Sequence, residues 1–65
     1  MSQEAEIATR YRAHAKDLRT IADASMHLQT RRTLLNVAAD YDRMAETLDA
    51  IGRANDAHLK RRSGS

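Results

Sequence analysis

The sequence predicts an all-α fold: an antiparallel helical hairpin that pairs with a second copy into a four-helix bundle. Three observations carry this expectation. Apolar residues recur in steps of four and three along both halves of the chain. The two sets of steps are out of phase by two residues, a slip that coiled coils do not readily absorb. Each set is also bordered by small residues, so the apolar stripe is wider than one hairpin can bury.

The first helix is read over residues 3–25. Ile7, Tyr11, His14, Leu18, Ile21 and Ser25 form a heptad seam, with Ala8, Ala15 and Ala22 one residue behind the Ile7 row. The second helix, read over residues 29–55, carries Leu34, Val37, Tyr41, Met44, Leu48 and Ile51, flanked in the same relation by Ala38, Ala45 and Gly52. Continuing the row of Tyr11 and Leu18 leads to Ser25, Arg32, Ala39 and Glu46, which is no core row. The true second row is Leu34, Tyr41 and Leu48, two positions later, or about 200° around a helix of 3.6 residues per turn. One continuous rod would show its apolar faces on nearly opposite sides. A turn is therefore expected at about residues 25–29.

Local signals at that turn are weak. "DASMHLQTRR" (23–32) has no Pro or Gly; Ser25 is the better side-chain acceptor there, and His27 an acceptable N-cap. A poorly capped turn could open and exchange helices with a neighbouring copy. At the far end Gly52, Asn55 and Asp56 lower helix propensity, so the second helix is expected to fray after about Asn55. Residues 1–57 would form a single domain, and 58–65 a basic flexible tail.

The two helices resemble one another. "YRAHAKDLRTIADA" (11–24) matches "YDRMAETLDAIGRA" (41–54) at Tyr, Ala, Leu, Ile and Ala, and Ile7-Ala8 matches Val37-Ala38 at the same offset. A shared packing demand explains this more simply than duplication does. Folding the chain about residue 26 sets Tyr11 beside Tyr41, Leu18 beside Leu34, His14 near Ala38 and Ile7 near Ala45. The second helix would project past the first from about Ile51.

The run "RRTLLNVAADYDRMAETLDAI" (31–51), with "YRAHAKDLRTIA" (11–22) ahead of it, resembles a group of small hypothetical two-helix proteins of alphaproteobacteria, over about two thirds of the chain. That group carries Asp-Pro at the turn, a strong helix start; His27-Leu28 stands there instead, which implies a looser turn. The resemblance implies the hairpin fold and a bacterial source, and brings no activity or ligand with it.

Composition narrows the function classes. The chain has no Cys, which excludes a disulfide scaffold and a thiolate metal site. It has no apolar run long enough for a membrane span and no signal-like segment, so a cytoplasmic protein with no membrane partner is expected. The formal charge of +2 is unevenly placed: residues 1–57 are net acidic, and the excess of cations lies in "HLKRRSGS". Large apolar side chains are few, with no Phe or Trp. A lone 65-residue monomer would be marginal, so self-association is expected, a dimer before larger assemblies.

The candidate oligomer interface is Ile7, Tyr11, His14, Leu18, Ile21, Leu34, Val37, Tyr41, Met44, Leu48 and Ile51, with Leu28, Leu35 and Leu59 as further apolar surface. His14 is polar on an apolar seam. It could be a ligand or proton carrier, but no further ligands converge on it, which leaves a register-setting core residue or the edge of the seam. Asp42, Asp49 and Asp56 recur every seven residues and read as a solvated face, with pairs such as Asp49 to Arg53. Candidate nucleic-acid contacts are Arg31, Arg32, Lys60, Arg61 and Arg62. The acidic body and the lack of aromatics among these cations argue against that partner. No phosphate loop, nucleophile elbow or His/Cys cluster occurs, so no enzyme activity, metal or cofactor is expected. The function expected is a small helical interaction module. The alternatives are a nucleic-acid-associated regulator, or a small subunit or inhibitor completed by a different protein.

Overall fold

In the computed structural model the chain forms two α-helices, α1 (Gln3–Ala24) and α2 (Leu28–Gly64), packed against each other as a hairpin. Residues 3–64 are described, with side chains for residues 3–56. The molecule measures 58 × 15 × 10 Å. A helix with its side chains is about 10–12 Å across, so the hairpin is one helix thick. Its radius of gyration is 16.1 Å, against about 11 Å for a compact chain of this length. Each helix is covered on one side only.

The line of contact is built from small residues. Ala8, Ala15 and Ala22 of α1 and Ala38 and Ala45 of α2 are each fully buried, and Gly52 continues the row. No larger side chain is fully buried among the described residues. The expectation had the large seam facing the neighbouring helix and the alanines widening it. The reverse holds, because an alanine every seven residues on both helices lets the backbones approach closely, and the bulky rows are displaced to one side.

That displacement has a definite hand. At about 100° per residue, Arg12 and Arg19 stand roughly 50° to one side of the alanine row, and Tyr11 and Leu18 roughly 50° to the other. The same offsets on α2 give Asp42 and Asp49 on one side and Leu34, Tyr41 and Leu48 on the other. In an antiparallel pair, equal rotations lead to the same side of the hairpin, and the cross-helix contacts agree. Arg12 bonds Asp49 and Arg19 bonds Asp42 along one flank. On the opposite flank the rings of Tyr11 and Tyr41 lie 5.5 Å apart, His14 stacks 5.7 Å from Tyr41, and Asn55 donates to Glu4 at 3.3 Å.

The break falls where the phase slip predicts it, and it is shorter than expected. Among the described residues, 25–27 alone are non-helical. The Ser25 N–H donates to the Ala22 carbonyl at 3.1 Å, a tightened last turn of α1. The His27 carbonyl accepts from the Arg31 N–H at 3.0 Å, which makes His27 the N-cap of α2. The His27 N–H reaches the Ser25 hydroxyl at 3.4 Å. Arg31 then folds back, its Nε donating to the Ala22 carbonyl at 3.1 Å and its Nη2 to that of Asp23 at 3.3 Å. α1 has no basic residue in its own last turn. The arginine of α2 supplies the positive charge that the C-terminal end of a helix favours.

Two expectations about α2 are corrected. The helix does not stop near Asn55: it runs to Gly64 and so includes residues 58–64, which had been read as a tail. A glycine ends a helix by adopting positive φ, and no described glycine does so. Gly52 is instead a contact residue of the close-packed row. The overhang past α1 also begins later than Ile51, since Glu4 reaches Asn55.

Candidate interaction face

The flank opposite the Arg–Asp ladder gathers every one of the candidate interface residues. Two rows from each helix make it. The inner rows, Tyr11 and Leu18 from α1 with Leu34, Tyr41 and Leu48 from α2, are half-buried in the angle between the helices. The outer rows stand about 105° from the alanines and point away from the hairpin. In them Ile21 is 55% exposed, Ile51 45%, Met44 42% and Val37 39%. Ile7 is half-buried, and His14 is exposed.

The face has a pattern along its length. Its rings collect at the middle, where the His14 ring lies against Tyr41 and Tyr41 against Tyr11, and the Glu4–Asn55 pair stands at the open end. Aliphatic residues occupy both ends: Leu18, Ile21, Leu34 and Val37 towards the turn, Ile7, Leu48 and Ile51 towards the open end. Polar rows border it, with Arg10 and Asp17 on α1 and Thr33, Asp40 and Thr47 on α2, all exposed. A mainly apolar strip flanked by polar rows is common in protein interfaces.

The other candidates fare differently. Asp42 and Asp49 are not a solvated outer face: they are half-buried, and each accepts from an arginine of α1. The expected pair of Asp49 with Arg53 gives way to Arg12. The signal for this ladder was present in the sequence, since Arg12 and Arg19, like Asp42 and Asp49, are spaced by seven and follow the tyrosine rows by one. Arg31, read as a nucleic-acid contact, is committed to the end of α1. Arg32 is exposed. Lys60, Arg61, Arg62 and Leu59 lie outside the residues whose side chains are described.

A second apolar group sits at and beside the turn, with Leu28 and Leu35 on the ladder side of α2. Met26 is 97% exposed, Leu28 61% and Leu35 40%. Beside the turn, His27, Gln29, Thr30, Thr33 and Leu34 line a shallow, open depression. Among the described residues no three His, Asp or Glu side chains converge as metal ligands, and no helix is long and apolar enough to cross a membrane. No protein-family model matches the chain, and comparison with curated proteins and with solved structures gives no match.

Proposed function

We propose that this chain is a helical interaction module that acts by packing rather than catalysis, and that it associates with a second copy through its apolar flank to form an antiparallel four-helix bundle. One observation carries this reading: most of the large apolar residues of both helices lie together on one flank, half-buried or exposed, while the helix–helix contact itself is made by alanine. A hairpin whose own contact uses its smallest side chains leaves its largest ones for something else.

We read the setting as the bacterial cytoplasm, supported by the resemblance across residues 11–51. The nucleic-acid reading loses ground because Arg31 is engaged within the hairpin.

Sedimentation equilibrium of the purified chain at micromolar concentration tests the proposal. A dimer with a concentration-dependent mass is expected. A folded monomer, stable across that range, would overturn it.

A further inference from the structure

Given self-association through the apolar flank, on which this inference rests, two symmetric arrangements of the second copy are open, and the charges at the rim distinguish them. In one, the two-fold axis crosses the long axis of the hairpin, so that α1 lies antiparallel on α1 of the second copy and α2 on α2. In the other, the two-fold runs along the long axis, and each α1 lies on the second copy's α2. All neighbouring helices are antiparallel in both, so helix dipoles do not decide.

Arg10 and Asp17 do. Both lie about 150° from the alanine row, just outside the row of Ile7, His14 and Ile21. Among the described residues neither has an ion pair or side-chain hydrogen bond. They are spaced one turn below and one turn above His14. When α1 packs antiparallel on its own copy about the level of His14, Arg10 meets Asp17 of the second copy, and the symmetry makes the same pair twice. In the alternative, Asp17 meets the rim of α2. His14 lies against Tyr41 and Arg19 against Asp42, so for Asp17, between them on α1, the nearest residue of the α2 rim row is Asp40. Two carboxylates would then face each other. Arg43, the 2.8 Å partner of Asp40, stands farther round α2 and offsets part of that repulsion, but it supplies no reciprocal pair of the kind Arg10 and Asp17 make.

We infer that the second copy docks with α1 antiparallel to α1, its two-fold axis passing beside His14, with reciprocal Arg10–Asp17 pairs closing the rim. His14 and Met44 then each face their own counterpart at the centre of the bundle. Opposite charges in register give specificity of orientation more than raw affinity.

The chain has no cysteine, so single cysteines report this geometry without background. His14→Cys alone, and Met44→Cys alone, should each form a disulfide-linked dimer on mild oxidation, since a disulfide needs Cα atoms within about 7 Å. Linkage only in mixtures of the two variants, with neither linking alone, would overturn the orientation. So would a dimer by sedimentation that links in neither case. A variant that sediments as a monomer where the unsubstituted chain is dimeric is replaced by a charge-swap comparison. There Arg10→Asp should raise the dimer Kd roughly tenfold, and Arg10→Asp with Asp17→Arg should restore it. Failure of the double variant to recover also overturns the orientation. An unsubstituted chain that is monomeric throughout overturns the self-association itself, which keeps the two failures distinct.

Discussion

The guanidinium of Arg31 closes the carbonyl end of α1, its Nε 3.1 Å from the Ala22 carbonyl. The contact links the first turn of one helix to the last turn of the other across a three-residue break. Since α1 has no cation of its own there, Arg31→Ala leaves two terminal carbonyls to water and removes a favourable charge–dipole interaction. A loss of about 1 kcal/mol is expected, read as a lower midpoint of thermal or urea unfolding followed by circular dichroism. Arg31→Lys should recover part of it, because a lysine keeps the charge and loses the fork.

Ala15 and Ala45 sit at the middle of the close-packed row, each with no exposed surface. A larger side chain has nowhere to go without separating the helices. Ala15→Leu is therefore expected to destabilise the fold by about 1–3 kcal/mol, although leucine is also a strong helix former and more apolar. Unchanged stability would mean that the alanines are not the true line of contact. Chemical denaturation of the variant beside the parent chain decides it.

These contacts also show what periodicity could and could not reveal. The rows themselves were legible: the seams of residues 7–21 and 34–51, their two-residue slip, and the level of Tyr11 with Tyr41 all stand. Periodicity shows which residues share a row, but not which row faces the neighbour. Bulk argued for the seam, yet two antiparallel helices with alanine every seven residues gain more by approaching along the alanines. Once that row is central, the seam moves to a flank and the aspartates move inward to the arginines. The end of α2 was hidden for another reason. Gly52 reads as a stop only if it leaves helical φ, and its close packing in the alanine row holds it in the helix.

The Arg19–Asp42 pair, like Arg12–Asp49, spans the hairpin on the side away from the apolar face. Its side chains are still 47% and 39% exposed, so solvent screens much of the attraction. A double-mutant cycle with Arg19→Ala and Asp42→Ala should return a coupling of about 0.2–1 kcal/mol. That coupling should shrink in 1 M salt, where the screening length falls to about 3 Å. If the coupling were zero at low salt, the ladder would be incidental to the fold. A value well above this range would mean the pair is more shielded than its exposure indicates.

His14 gives the most direct test of the apolar face, because among the described side chains it is the one ionisable group in the outward-pointing rows of that flank. It is exposed in the hairpin, stacked on Tyr41. Docking of a second copy would take its ring nitrogens out of water, and a buried polar group without a full set of partners costs about 1–3 kcal/mol. His14→Leu removes that cost and adds apolar area, so it should tighten the dimer by at least about tenfold while changing the helix content of the monomer little. Met44→Lys, on the facing row of α2, should act in the opposite direction and leave a helical monomer, since the long side chain can reach solvent only when the face is uncovered. Analytical ultracentrifugation of both variants beside the parent, with circular dichroism as the check on folding, reads the two effects. Equal affinities in all three chains would mean that the flank stays open to water, whatever else the protein binds.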